Sequence, residues 1–158
     1  KGFVYQSFDT LTNPGKAYLG NGLFIGDARN YQTVYFGNIP EYDPAKAYQI
    51  SFWFGNILKD TYLRSGLIIS KYDSKGNMYE EDYYNIAALA RIFDGNWALC
   101  ELDVALETPN DKVKVTLRSE EILNDDFLLD ELIIKQVGVN LYKEVTGGII
   151  KNNRYYLK

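Results

Sequence analysis

In the stretch KVKVTLRS, Lys112 to Ser119, apolar and polar residues alternate without a break: Val113, Val115 and Leu117 on one parity, Lys112, Lys114, Thr116 and Arg118 on the other. An extended chain sends successive side chains to opposite faces, so such a stretch buries one face and wets the other only as a strand. A half-buried antiparallel strand is expected here. Similar short runs recur in YQTVYFG (Tyr31 to Gly37), YQISFWFG (Tyr48 to Gly55) and RSGLIISKYD, divided by turn-forming clusters such as IPEYDPAK and DSKGN. Pro40 and Pro44 each discourage helix in the residue before them. Many short strands with regular turn signals predict an all-β, two-sheet antiparallel sandwich.

Parity assigns faces. In YQTVYFG it puts Val34 and Phe36 on one side and Tyr31, Thr33 and Tyr35 on the other; in YQISFWFG it opposes Tyr48, Ile50, Phe52 and Phe54 to Gln49, Ser51 and Trp53. DDFLLDELIIK is apolar nearly throughout, as expected of an inner strand covered on both faces for part of its length. NMYEEDYYNIAALARIFDG supports two readings. One is a helix capped by Asn77, with Glu80 three residues on, Ile86, Leu89, Ala90 and Phe93 at helical spacing, and Asp94-Gly95 as its stop. The other is a pair of strands, which the surrounding pattern favours. Beyond Val137, GIIK and RYYLK flank an Asn-Asn turn and predict a terminal hairpin. With no repeat or linker, the 158 residues read as one domain, a sandwich over 1–137 with a hairpin extension over 138–158. A chain of this length buries about 68–70% of its unfolded surface, enough for a core without staples.

Composition removes several functions. Lys and Arg total 17 against 21 acids, a net charge of −4, with no basic stripe for a nucleic-acid backbone. No apolar run approaches the about 20 residues of a membrane span, and the opening KGFVYQSF lacks signal-peptide regions, consistent with trimming from a longer precursor. The chain has no histidine, which removes the usual neutral-pH base and the histidine-assisted nucleophiles. Its one cysteine, Cys100, cannot form an internal disulfide and is expected to be a buried, inert thiol. Glu101 and Asp103 sit at i and i+2 on one strand face, about 6.5–7 Å apart, a separation open to an inverting glycosidase pair. Surface strands commonly carry such acids for solubility, so no enzyme is expected. YEEDYY and LNDDF read as solvated loops or turns.

The succession NPGKAYL, DPAKAYQISFWF, DGNWALCELDVAL, KVKVTL and DDFLLDELII resembles the β-sandwich carbohydrate-binding modules of the galactose-binding-like type, found beside bacterial polysaccharide-degrading enzymes. The resemblance covers residues 3 to about 137. It implies a jelly roll, and a secreted or cell-envelope location in a bacterium. It also implies a structural calcium held by Asp9, the Lys16 carbonyl and Asp130, clipping the two ends of the domain together. The residues point independently at Asp130, an acid alternating with Leu128, Leu132 and Ile134; an ionised carboxylate in apolar surroundings needs a cation or hydrogen bonds. Calcium accepts oxygen ligands from distant segments in flexible geometry. Asp130 at a sandwich edge, accepting backbone N–H groups without a metal, is the alternative.

A sugar offers an apolar C–H face and a hydroxylated rim, so a binding surface needs a flat aromatic with polar side chains beside it. Trp53, on the parity opposite the core with Gln49 and Ser51, meets that description; Tyr31, Tyr35, Arg64 and Tyr72 are further outward candidates. Trp53 beneath a crossing loop is the competing reading, and Trp97 at a strand entry is expected to plug the core. The function expected is that of a monomeric, non-catalytic polysaccharide-binding module covalently linked to an enzyme or surface protein. The alternative is a protein-docking or adhesion domain of a cell-surface assembly, with the aromatic face or hairpin edge as its contact.

Overall fold

The computed structural model describes residues 2–6, 24–26, 31–58, 60–119, 127–138, 148–151 and 154–157. Along the chain run β1 (Phe3–Gln6), β2 (Phe24–Gly26), β3 (Gln32–Gly37), β4 (Tyr48–Gly55), the short α1 (Asp60–Arg64), β5 (Ser65–Tyr72) and β6 (Met78–Asn85). There follow α2 (Ile86–Leu89), β7 (Ala90–Asp94), β8 (Trp97–Val104), β9 (Lys112–Ser119), β10 (Phe127–Gln136), β11 (Gly148–Lys151) and β12 (Arg154–Leu157). Two antiparallel sheets form the sandwich. Sheet A has the order β1-β10-β4-β8-β7 with β2 also on β10, and sheet B the order β3-β9-β5-β6. The expected hairpin after Val137 is present as the separate pair β11-β12.

The core is what alternation requires. Ile50, Phe52 and Phe54 of β4, Cys100 and Leu102 of β8, and Leu132 and Ile134 of β10 meet Leu67 and Ile69 of β5 and Val113, Val115 and Leu117 of β9. Cys100 is fully buried, and burial pushes its thiol up to about 12, the inert group anticipated. The ambiguous segment divides: β6 and β7 are strands, with a single helical turn between them capped by Asn85, whose Oδ1 accepts from Ala87 N at 3.0 Å. Asn77 closes the β5–β6 turn instead, donating its N–H to Asp73 Oδ1 at 2.9 Å, with Gly76 at φ 88°. YEEDYY is therefore strand, not loop; of LNDDF, only Phe127 is described.

Two bulges reset the parity read from sequence. Between Thr33 and Tyr35 the β3–β9 register shifts by one, so Val34 and Tyr35 both turn toward the core and Phe36, opposite Lys114, turns outward. In β10 the shift falls between Asp130 and Leu132, where Glu131 adopts φ 54°. Asp130 is consequently opposite Trp53 on the outer face of sheet A, while Leu132 and Ile134 face the core. It does not alternate with them, as uninterrupted pairing would require.

Trp53 does lie on the parity opposite the core, but that side is closed. Its exposure is 0%, and Leu99 and Ile133 on the same face are each at 1%. Alternation says which side a residue takes, not whether that side meets water, and a central strand covered on both faces is apolar on both. Trp97 shares this outer face, half-buried over Gly55, where an added Cβ would come within 3.0 Å of the indole. It is not a core plug.

The connection between β8 and β9 is fixed by hydrogen bonds. Tyr42, packed against Tyr48 at 4.5 Å between centroids, donates its hydroxyl to Leu106 O at 3.2 Å and accepts from Leu106 N at 2.7 Å. Buried Asp111 accepts from the Tyr79 hydroxyl at 2.7 Å, the Thr108 hydroxyl at 2.7 Å, and Glu107 N and Thr108 N at 3.1 Å. Burial works to raise the Asp111 pKa, but these donors together outweigh it and hold the carboxyl below its ordinary value.

Trp53→Ala should therefore cost about 3–5 kcal/mol of stability through cavity formation, and Asp111→Ala about 1.5–3 kcal/mol through orphaned donors; urea unfolding midpoints check both. Because the folded-state pKa of Asp111 is depressed, its contribution is present above the ordinary value of 3.8 and fades as pH falls through the folded value. Wild-type protein should lose more stability than Asp111→Asn on acidification below about pH 4, measured as unfolding midpoint against pH.

Candidate functional site

The outer face of sheet B is exposed at Thr33, Phe36, Lys112, Met78, Glu81 and Tyr83, while Ile68, Ser70 and Thr116 at its centre are buried. On β9 the outward parity carries Lys112, Lys114, Thr116 and Arg118; opposite them stand Phe36 and Thr33 of β3, and Tyr72, Ser70, Ile68 and Gly66 of β5. On β6 the same side continues with Met78, Glu81 and Tyr83. Phe36 is 53% exposed and Tyr83 59% exposed. Phe36 and Tyr72 meet edge to face at 5.3 Å between centroids, a favoured aromatic geometry.

Each ring has a cation beside it. Lys112 Nζ lies 5.8 Å from the Phe36 centroid, Lys114 Nζ 5.5 Å from that of Tyr72, and the Arg118 guanidinium 5.1 Å from that of Tyr83. These contacts hold the rings at fixed positions above a hydrogen-bonded sheet. The Tyr83 hydroxyl donates to Glu81 Oε1 at 3.1 Å, and the Ser70 hydroxyl to Glu81 Oε2 at 2.9 Å. The hydrogen bond to Glu81 raises the Tyr83 pKa first, its negative charge adds to this, and Tyr31 contributes from nearby. Aromatic surface and fixed polar groups thus alternate along the sheet.

At one end the face deepens into a cleft of about 260 Å³ lined by Leu63, Arg64, Ser65, Gly66, Tyr83, Tyr84, Asn85 and Arg118. Gly66 has a specific part in it: an added Cβ would stand 3.1 Å from Arg118 Cγ and 3.2 Å from Tyr84 O. Lacking one, it lets the Arg118 stem lie across β5.

The six candidates read from sequence separate between the sheets. Tyr72 is half-buried on the outer face of sheet B, exposed Tyr31 leads into β3 close to Tyr83, and Arg64 lines the cleft. Tyr35 is turned inward by the Val34 bulge, packs against the core and donates its hydroxyl to Asn38 O at 2.7 Å. Trp53 and Gln49 belong to sheet A. Gln49 is half-buried at the polar end of that sheet's outer face, where it shares a second hollow of about 270 Å³ with Arg91, Glu101, Leu102 and Asp103. There Arg91 Nη1 already donates to the carbonyls of Ala88 at 3.0 Å and Ala90 at 3.2 Å.

Sequence parity missed Phe36, which needs the bulge, and Tyr83, which sits in the acid run read as loop. The outward cations of β9 were visible in KVKVTLRS. Of the expected calcium ligands, Asp130 is fully buried, and Asp9 and Lys16 lie outside the described residues. Among the described residues no group of three or more acid or cysteine side chains is gathered for a metal, and no helix is long and apolar enough to cross a membrane.

No protein-family model and no curated protein matches the chain. Solved structures do resemble it. The enzymatically active domain of tailspike protein 4 from bacteriophage CBA120 aligns with 85% of this chain at a TM-score of 0.51 and 14% identity, over 18% of its own length. The glycosylation associate protein (Gap123) complex from Streptococcus agalactiae aligns with 87% at a TM-score of 0.50 and 10% identity, over 46% of that chain. The CBM22-1 xylan-binding domain of Paenibacillus barcinonensis Xyn10C aligns with 88% at a TM-score of 0.46 and 13% identity, over 84% of that domain. The chain spans less than a fifth of the tailspike chain and less than half of the streptococcal one. At these identities, what the first two share with it is the β-sandwich fold.

Proposed function

We propose that this chain is a non-catalytic carbohydrate-binding module that directs a larger secreted or surface protein to polysaccharide, with the glycan lying along the outer face of sheet B. The observation that carries the reading is the row of rings, exposed Phe36 and Tyr83 with half-buried Tyr72 between them, fixed on one sheet and interleaved with Lys112, Lys114, Arg118 and Glu81. Rings of this kind take the C–H faces of sugars at small entropic cost, and the polar side chains between them reach the hydroxyls. Residues six apart on β9 span about 20 Å, room for several sugar rings.

The reading is non-catalytic because hydrolysis of a glycoside uses two carboxylates. Among the described residues, the outward positions of sheet B present one, Glu81, already accepting from Tyr83 and Ser70. The same reading includes a structural calcium bound by Asp130, Asp9 and the Lys16 carbonyl. In its support, the Asp130 carboxylate is fully buried and β1 pairs with β10, which brings the two ends of the sandwich side by side.

Affinity electrophoresis and calorimetry against xylan, β-glucan and polygalacturonate test the face. Phe36→Ala and Tyr72→Ala should each weaken binding at least tenfold, about 1.4 kcal/mol, with Tyr83→Ala behaving alike and exposed-site melts changing little. Wild-type protein that binds no polysaccharide, or variants that bind as well as wild type, would refute the reading. For the ion, added calcium chloride should raise the melting temperature with concentration and Asp130→Asn should abolish the rise; a melt indifferent to calcium and chelator leaves a metal-free carboxylate.

A further inference from the structure

The whole chain carries a net charge of −4, yet the outward positions of β9 on sheet B are cationic. Lys112, Lys114 and Arg118 take three of the four outward positions on β9, and Arg64 joins Arg118 in lining the cleft at its end. The acid on this side, Glu81, is hydrogen-bonded by Tyr83 and Ser70. A neutral glycan has no use for four positive charges beside its stacking rings.

We infer that the glycan held on this face is an acidic one, and that an oxyanion it carries, a uronate carboxylate or a sulfate ester, enters the cleft between Arg64 and Arg118. The inference rests on sheet B being the binding surface. The cleft has the chemistry for it. Guanidinium groups offer planar, paired donors that match two oxygens of a carboxylate or sulfate, which an ammonium group cannot reproduce. Arg118 is held in place from two sides, its stem over Gly66 and its guanidinium against Tyr83 at 5.1 Å. A fixed donor loses little freedom on binding, which favours the ligand. The cleft adjoins Tyr83, so the sugar ring bearing the anion stays within reach of an aromatic surface while Lys112 and Lys114 attract neighbouring acidic residues of the polymer. A volume of about 260 Å³ accommodates a single substituted ring.

Calorimetric titration of the intact chain with polygalacturonate, dextran sulfate and neutral xylan at low and moderate salt tests the inference. One or both acidic polymers should bind at least tenfold more tightly than xylan, with affinity falling as salt rises; which of the two binds identifies carboxylate or sulfate as the group recognised. Arg64→Gln should weaken the acidic polymer at least tenfold and leave xylan within twofold, and Arg118→Gln should weaken the acidic polymer at least tenfold and by more than it weakens xylan. Arg118→Lys, which keeps the charge without the paired donors, should also weaken it, and Lys46→Gln, on an exposed turn, should have no effect. Arg64 is exposed, so its variant reports on binding even where Arg118 variants fold poorly. Acidic and neutral polymers bound equally, or acidic binding unchanged in Arg64→Gln, would overturn the acidic preference while leaving the glycan-binding face standing. Failure of all three polymers to bind would overturn the face itself.

Discussion

The apolar layer between the sheets governs the remainder of the molecule. Ile50, Phe52 and Phe54 from β4 meet Leu67, Ile69, Val115 and Leu117 from β5 and β9 with essentially no exposed surface, and each such side chain is worth about 1.5–3 kcal/mol on burial. Interior packing at this density tolerates little shear. Both sheets are thereby fixed, and a ring on the outer side of sheet B inherits its position from residues it never touches. Phe36 and Tyr72 hold their edge-to-face arrangement because Tyr35, Val113 and Val115 beneath them are anchored in the layer.

The architecture was legible because strand alternation is a short-range signal. KVKVTLRS, YQISFWFG and the DSKGN turn became β9, β4 and the β5–β6 connection as their patterns demand. The faces were less legible for two physical reasons. A bulge inserts one residue and reverses every later assignment, and neither TVY in β3 nor DEL in β10 carries a Gly or Pro to mark it. Tyr35 and Phe36 exchanged sides in this way, and Asp130 moved to the face of Trp53. The second reason is that a strand's non-core side is wet only if nothing else covers it. Trp53, Leu99 and Ile133 are sealed by long-range packing that local periodicity does not encode. Of the candidate site, Tyr72, Tyr31 and Arg64 were readable as outward residues, whereas Tyr83 was hidden in an acid-rich run whose helix, loop and strand signals conflict.

The two sheets therefore divide their labour by exposure. Sheet A is covered over Trp53 and grades toward polar residues at Gln49, Glu101 and Asp103. On sheet B Phe36 and Tyr83 are exposed while Ile68, Ser70 and Thr116 are buried, and its cations sit against rings that would otherwise present plain apolar surface to water. In that pairing the charged heads of Lys112, Lys114 and Arg118 lie 5.8, 5.5 and 5.1 Å from the ring centroids, drawn to the ring faces by electrostatic attraction. A surface built so can remain exposed without collapsing onto a neighbour.

The acid run on β6 bears on how such molecules behave in company. Strand β6 is the border of sheet B, and its consecutive residues Glu80, Glu81 and Asp82 are exposed. An unpaired border offers backbone groups that another chain could zip onto, extending the sheet from one molecule into the next. Aligning two such borders would set carboxylate against carboxylate at close cross-strand distance, which is destabilising. Copies of the chain held close together would then stay separate beads rather than fuse into a ribbon.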